Sequence, residues 1–349
     1  MRLRDGRSLG FAQFGRPDGA AVVSAHGGLV GRLDVAAAAP FAERTGVRLI
    51  SPDRPGIGLS DPLPGRTTLD WADDVAELLD QLGVDRFAAM GWSMGGQYAA
   101  ALGHAMPSRV TRVAIIAGAL PLTEPGVFAQ LPSFDRAYTR LSQRAPWVAR
   151  QCFRTMALIA RSVPTLNGRL AARELGEADA AVLRAEGFDA FSHVSYEGLR
   201  RASGVIEDYR AWALPWGFAP EDLGVPVDVW SGAEDELVPA AWGCELAQRI
   251  PDATHYVRPG GHFVAHLNFE ELFEALLAVA ATALTGSARD RCGRQRHAPG
   301  SVRPVAHRVG ITRGEKDTCG RAFGMPGLRM PLGHRSGQPL NRVDQQRVR

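Results

Sequence analysis

The stretch FAAMGWSMGGQYAAALG, Phe87 to Gly103, places one serine between glycines where two differently patterned segments meet. The small apolar residues before Ser93 are typical of a buried strand, and the alanine-rich run after it is typical of a helix. A strand that enters a helix through one tight turn strains the central residue, and Gly91 and Gly95 leave the space that such a turn requires. The pattern therefore predicts Ser93 as an exposed nucleophile at a helix N-terminus, where developing negative charge is favoured.

The rest of the chain up to about residue 285 supports an α/β fold. The runs AAVVSAHGG, VRLISPD, RVTRVAIIAG and VPVDVWSG are β-prone and are separated by helical patterns, which predicts a mostly parallel sheet flanked by helices. Between residues 120 and 223 this alternation gives way to Arg-rich, aromatic helical patterns. We therefore expect a core of residues 1–119 and 224–286, with a helical cap of residues 120–223 inserted between two strands. The last helix of the core is expected from about Val264 to Leu284.

The C-terminal tail, residues 287–349, differs in charge from the rest of the chain. It carries 13 Arg and one Lys against four acidic residues, a net charge of +10, whereas the whole chain has a net charge of +3. With no amphipathic period, this composition predicts disorder. A nonspecific nucleic-acid-binding arm is the alternative, but Phe323 is the only aromatic residue there. No specific nucleic-acid partner is expected.

Neither a membrane span nor a secretory leader is expected. The longest apolar run, LFEALLAVAATAL from Leu272, is shorter than the roughly 18 to 20 residues that a spanning helix needs, and it contains Glu274. The N-terminal segment MRLRDGRSLGFAQFG lacks the apolar core of a signal peptide. These features predict a cytoplasmic protein, and no feature of the sequence indicates an oligomeric state.

A serine hydroxyl attacks only when a base removes its proton, and a carboxylate must orient that base. The segment RPGGHFVAH places His262 after a predicted strand, on a glycine-rich loop at the carboxyl edge of the sheet. His266 follows one helical turn later, which also suggests a metal pair. Because HFVAH lacks the glutamate of His-Glu-x-x-His and has no evident third ligand, we expect no metal here.

The carboxylate is expected in VDVWSGAEDELVP, just after a predicted strand. Glu234, Asp235 and Glu236 are adjacent there, and spacing alone leaves the choice among them open. The weaker alternative is that all three are solvated loop charges.

An acyl-transfer site also needs donors for an oxyanion. The loop AHGGLVG after an early strand offers the backbone N–H of Gly28, and the residue after the serine offers that of Met94. His26 in the same loop is expected to brace it rather than to act as a second base.

Together these segments resemble the α/β-hydrolase fold superfamily. The match is narrower with bacterial serine hydrolases that carry DRPGxGxSD and GWSxGG motifs and a helical cap, since SPDRPGIGLSD lies between the glycine loop and GWSMGG. The resemblance covers roughly residues 5 to 285. It implies a nucleophile, an acid, a base and two oxyanion donors at Ser93, Asp235, His262, Gly28 and Met94. It also implies that Asp53 and Arg54 brace the site.

The resemblance implies a cofactor-free serine hydrolase that cleaves a carboxylic ester or similar acyl bond through an acyl-enzyme. The serine excludes the epoxide hydrolases and haloalkane dehalogenases of this fold, which use an aspartate at the same turn. A haloperoxidase or perhydrolase, or a noncatalytic small-molecule-binding relative, would keep the same residues. Aminopeptidase activity is a weaker alternative, since Leu29 replaces the proline of HGGPG and Trp92 precedes the serine.

A small apolar acyl substrate is expected, because aromatic residues in the cap predict an apolar pocket wall. The alternative is that most of them pack the cap against the core. These residues are Phe128, Phe134, Tyr138, Trp147, Phe153, Trp212, Trp216 and Phe218.

Overall fold

A seven-stranded sheet forms the centre of the computed structural model, which describes residues 1–278. Its strands lie in the order β1-β3-β2-β4-β5-β6-β7. β1 pairs antiparallel with β3, and every other pair of neighbours is parallel. The strands are β1 (Phe11–Gly15), β2 (Ala20–Ala25), β3 (Val47–Pro52), β4 (Phe87–Trp92), β5 (Val110–Ile116), β6 (Val227–Gly232) and β7 (Ala253–Arg258).

Helices flank this sheet, and a run of helices separates β5 from β6. The predicted α/β fold with a mostly parallel sheet and an inserted helical segment is thus confirmed. The helices are α1 (Ala39–Thr45), α2 (Asp70–Gln81), α3 (Gly95–Ala105), α4 (Val127–Gln130), α5 (Ser133–Arg144), α6 (Pro146–Ser162), α7 (Pro164–Glu174), α8 (Glu177–Glu186), α9 (Phe188–Leu199), α10 (Ala202–Trp212), α11 (Ala240–Arg249) and α12 (Phe269–Leu277).

Two apolar layers enclose the sheet, because alternate residues of each strand point to opposite faces. In β4, Phe87 and Ala89 belong to the layer beneath α2, α3 and α11, whereas Ala88 and Met90 belong to the layer beneath α1 and α12. The central strands are buried on both faces, which accounts for their continuous apolar sequences. Both covering layers hold the carboxyl ends of the strands, where the candidate residues lie, in fixed positions.

The last expected helix begins later than predicted. A short 3-10 turn, Val264–Leu267, precedes α12, which begins at Phe269. Asn268 separates the two, since its backbone is not helical and its side-chain amide donates to the Val264 carbonyl over 2.7 Å. Such competition by an asparagine side chain explains why an apolar run did not form one continuous helix.

Several sequence predictions concern residues beyond 278. The end of the expected last helix and the basic tail, residues 287–349, lie outside the described residues. Within residues 1–278, no helix combines the length and the apolar character that crossing a membrane requires.

Candidate active site

Ser93 occupies a strained turn between β4 and α3. Its φ is 55°, in the left-handed region, and its N–H donates to the Ile116 carbonyl over 2.8 Å. A Cβ on Gly91 would lie 2.1 Å from the Gly95 carbonyl oxygen, and one on Gly95 would lie 2.1 Å from that of Ala25. Positions 91 and 95 must therefore be glycine. A left-handed serine costs about 1–2 kcal/mol, and the surrounding contacts hold it there.

His262 lies on the loop after β7, and its ring contacts one of the three candidate acids. Its Nδ1 is 2.9 Å from Oδ2 of Asp235, which follows β6. The other carboxylate oxygen of Asp235 accepts the backbone N–H groups of Leu237 and Val238 at 2.8 and 2.9 Å. Because both oxygens are engaged, the carboxylate is fixed toward Nδ1.

Glu234 and Glu236 flank Asp235 but are exposed to solvent. The backbone turn after β6 sends the middle side chain inward and its neighbours outward. The structure thus brings Asp235, and neither glutamate, to His262.

The environment of His262 favours its protonated form. Burial alone lowers the pKa of His262, but the Asp235 carboxylate, followed by Asp179 and Asp135, outweighs burial and raises that pKa above its usual value. An imidazolium formed at this position would therefore be stabilised by nearby negative charge.

Ser93 and His262 line one cavity of about 590 Å³, together with Gly28 and Met94. The Ser93 hydroxyl has no hydrogen-bond partner within residues 1–278. In an active site without substrate, the hydrogen bond between a nucleophile and its base is often long or unformed, and it tightens when substrate binds.

Two backbone N–H groups beside Ser93 are also unengaged. Within residues 1–278, neither Gly28 nor Met94 donates a backbone hydrogen bond, whereas Gly27 donates to Oδ2 of Asp34 over 3.0 Å. A Cβ on Gly28 would lie 3.2 Å from Cε of Met94, so the two segments approach closely. The Asp34 carboxyl group that accepts the Gly27 N–H is buried, and burial raises its pKa to about 7 despite that hydrogen bond.

His26 braces the glycine loop through both ring nitrogens. Nδ1 is 2.9 Å from the Gly27 carbonyl oxygen, and Nε2 accepts the Arg54 backbone N–H over 3.1 Å. Burial, aided by the charge of Arg54, lowers the pKa of His26 to about 3. A neutral ring that donates through Nδ1 and accepts through Nε2 satisfies both contacts.

Asp179, which the sequence reasoning missed, reaches from α8 to the histidine loop. Its two oxygens accept the backbone N–H groups of His262 and Phe263, each over 2.8 Å. A Cβ on Gly261 would lie 2.5 Å from Cγ of Asp179, so glycine is required for this approach. Burial raises the pKa of Asp179 despite both hydrogen bonds. In sequence it resembles any acid in the first turn of a helix.

Trp92 also contacts the histidine loop. Its indole N–H donates to the His262 carbonyl over 2.8 Å, and its ring lies 4.9 Å from that of Phe263. The residue before Ser93 therefore links the strained turn to the histidine loop.

A second missed group joins the DRPGIG loop to α10. Asp208 of α10 accepts the Arg54 guanidinium at 2.8 and 2.7 Å and also pairs with Arg66. Burial opposes the charge of Asp208, but the two arginines outweigh it and lower the Asp208 pKa well below its usual value. Arg54 also donates to the Gly27 carbonyl over 2.8 Å.

His266 belongs to a different contact from His262. Its Nδ1 lies 2.6 Å from Oε1 of Glu186. No cluster of His, Cys, Asp or Glu that could hold a metal ion occurs within the described part of the chain.

The eight aromatic residues predicted to line a pocket divide into two groups. Phe134, Tyr138 and Trp212 line the cavity, whereas the others do not. Phe153 and Trp216 are buried elsewhere, and Trp147 is 74% exposed. The interpretation of an aromatic pocket wall is thus correct for three of the eight.

Comparison with protein families gives one match that spans most of the described residues. A family model described as alpha/beta hydrolase fold matches residues 20–269. The segment includes every candidate residue discussed above.

Two similar curated proteins are both named pimeloyl-[acyl-carrier protein] methyl ester esterase. The protein from Chromobacterium violaceum is 30% identical over 264 residues, which cover 74% of this chain and 92% of the relative. The protein from Aromatoleum aromaticum is 29% identical over 253 residues, 68% of this chain and 87% of the relative.

Solved structures show the same fold at lower identity. A thermophilic esterase from Thermogutta terrifontis has a TM-score of 0.57 at 23% identity, covering 78% of this chain and 93% of its own. An enol-lactonase from Burkholderia xenovorans has a TM-score of 0.57 at 20% identity, covering 77% and 95%.

Proposed function

The chain belongs to the α/β-hydrolase fold family, and on that premise we propose that it is a cofactor-free serine hydrolase of carboxylic esters. The fold hosts many chemistries, so the proposal rests on the site and not on the fold. The observation that carries it is the combination of Ser93 at a strained turn with the Asp235–His262 pair at the same cavity.

In the proposed reaction, Ser93 Oγ attacks the ester carbonyl while Nε2 of His262 takes its proton. Asp235 holds the imidazole through Nδ1 and stabilises the imidazolium that forms. The oxyanion accepts hydrogen bonds from the unengaged N–H groups of Gly28 and Met94. His262 then protonates the departing alcohol. A water molecule next gives a proton to Nε2 of His262 as its oxygen attacks the acyl carbon, and His262 returns that proton to Ser93 Oγ as the carboxylic acid departs.

The substrate class follows from the relatives and from the cavity. Both curated relatives are named as methyl ester esterases. The cavity wall is mostly apolar, with Phe134, Leu170 and Trp212 among its residues. We therefore propose a small ester with an apolar acyl chain.

We also propose that residues 120–223 act as a cap over a core of residues 1–119 and 224–286. Support comes from α5, α6, α7, α9 and α10, each of which contributes residues to the cavity wall. The cap would then shape the acyl site while the core supplies the reacting groups.

The direct test measures hydrolysis of p-nitrophenyl esters of graded chain length by the wild-type chain and by Ser93→Ala. We expect the variant to lose about 10⁴–10⁶-fold in kcat, as in dissected serine hydrolases. A fluorophosphonate probe should label Ser93 in the wild type only. Retained turnover in Ser93→Ala, together with absence of labelling, would contradict the proposal.

A further inference from the structure

The polar groups of the cavity wall are unbalanced in charge. Asp135 and Glu174 both line the cavity, whereas no Lys or Arg is among the described residues that line it. Apart from these acids and the reacting groups, the wall is largely apolar. Such a wall disfavours an anion and favours a cation.

Asp135 lies near the start of α5, and one of its oxygens is left unengaged. Oδ1 accepts the Tyr209 hydroxyl over 2.9 Å. Oδ2 makes no hydrogen bond within residues 1–278, and no Lys or Arg of that range forms an ion pair with Asp135.

Two fully buried carboxylates, Asp208 and Asp53, are neutralised by arginines. Asp208 pairs with Arg54 and Arg66, and Asp53 pairs with Arg32. Asp135 has no such compensation, so burial raises its pKa to about 6. A carboxylate in an apolar wall costs free energy unless a partner neutralises it. A positively charged ligand that enters the cavity would supply the partner that Asp135 lacks.

The Tyr209 contact keeps Asp135 in place. The Tyr209 ring stacks on Phe153 at 5.8 Å and lies edge-on to Trp212 at 5.9 Å, so its hydroxyl has a fixed position. A hydroxyl that donates to Oδ1 leaves Oδ2 as the acceptor available to a ligand.

We propose that Asp135, oriented by Tyr209, forms a subsite for a cationic N–H donor, such as a primary ammonium group, carried on the acyl chain of the substrate. This inference rests on the proposed ester hydrolysis, because the same cavity contains Ser93. The inference adds a positively charged group to the apolar acyl chain proposed above. It also predicts that the subsite rejects a substrate with a carboxylate in place of that group.

The test uses methyl esters of straight-chain acids that end in an ammonium, hydroxyl, methyl or carboxylate group, at several chain lengths and at a pH well above 6. The quantity compared is the ratio of kcat/KM for the ammonium and methyl termini at the best length. One charge-assisted hydrogen bond predicts a ratio of about 10 to 100 for the wild type. The carboxylate series should be the poorest of the four.

Asp135→Asn keeps the size of the side chain and removes its charge, so this ratio should fall close to one. Tyr209→Phe keeps the charge and removes the orienting hydroxyl, so the ratio should fall less. Glu174→Gln is the comparison variant, because it removes the second carboxylate of the same cavity. Glu174 is exposed to solvent, so this variant should lower the ratio much less than Asp135→Asn.

The outcomes separate this inference from the proposed function. A wild type that hydrolyses the methyl-ended esters through Ser93 without preferring ammonium overturns the subsite alone. The same holds if the hydroxyl series is preferred to ammonium, or if Glu174→Gln lowers the ratio as much as Asp135→Asn. Failure of every ester to be hydrolysed in a Ser93-dependent way overturns the proposed function instead. The wild-type comparison decides the matter even if Asp135→Asn does not fold.

Discussion

Asp179→Asn tests whether the α8 carboxylate positions the histidine loop. Asp179 accepts two backbone N–H groups, from His262 and Phe263, each over 2.8 Å. An asparagine has one oxygen, so its amide N–H group must face one of these donors. Hydrogen bonds to charged groups contribute about 1.5–3 kcal/mol each, so the loop should lose about one such contribution and shift.

The expected kinetic effect follows from that shift. A displacement of a reacting group by about 1 Å can cost 10²-fold in rate, so we expect kcat on a p-nitrophenyl ester to fall about 10- to 100-fold, with a smaller change in KM. Asp179 also raises the His262 pKa. Without its charge the imidazolium is less stable, so the acid limb of the kcat/KM profile should move to lower pH.

Glu177→Gln is the control, since Glu177 lies on the same helix but is exposed and pairs only with Arg184 among the described residues. It should leave kcat and the pH profile unchanged. If Asp179→Asn lowers the melting temperature but leaves both kcat and the acid limb as in the wild type, Asp179 is structural only and the reasoning is refuted.

Two further predictions concern charge. Because His262 must be neutral to accept a proton and its pKa is raised, wild-type kcat/KM should decline as pH falls through a value above the ordinary 6.5 of histidine; a limb below that value in a pH-rate profile would contradict the assignment. Asp208→Asn leaves Arg54 and Arg66 without their buried carboxylate, so chemical denaturation should show a loss of about 3–5 kcal/mol, and an unchanged midpoint would count against the pairing. Since the Asp208 pKa is lowered by folding, its stabilisation is present above the unfolded pKa of about 3.9 and should disappear as pH falls through the folded value.

The parts of the site that the sequence predicted are those defined by short segments. The strained turn at Ser93 needs a strand, a helix and two glycines within one stretch, and all are visible in the sequence. The carboxylate that contacts His262 could be narrowed only to three adjacent acids, because spacing carries no information about which side chain a tight turn sends inward. The start of the last helix was predicted too early, because Asn268 separates the short 3-10 turn at Val264–Leu267 from α12.

The contacts that the sequence did not predict join residues far apart in the chain. Asp179 and His262 are 83 positions apart, and Arg54 and Asp208 are 154 apart. Each acid sits on an amphipathic helix where an acid is ordinary. Only the packing of those helices on one another and on the loops beside the site gives Asp179, Asp208 and Asp135 their separate environments.

The contacts between α10 and the segment that follows β3 limit which helical segments can be exchanged between proteins of this fold. Asp208 is neutralised by Arg54 and Arg66, which lie between β3 and α2 in the chain, and a Cβ on Gly204 would lie 1.9 Å from the Gly56 carbonyl oxygen. A chimera that received its helical segment from another protein would bury Arg54 and Arg66 unpaired unless the donor also supplied an acid and a glycine at these positions. Residues 54, 56, 66, 204 and 208 therefore form a compatibility set, to be exchanged together whenever segments are shuffled to alter specificity.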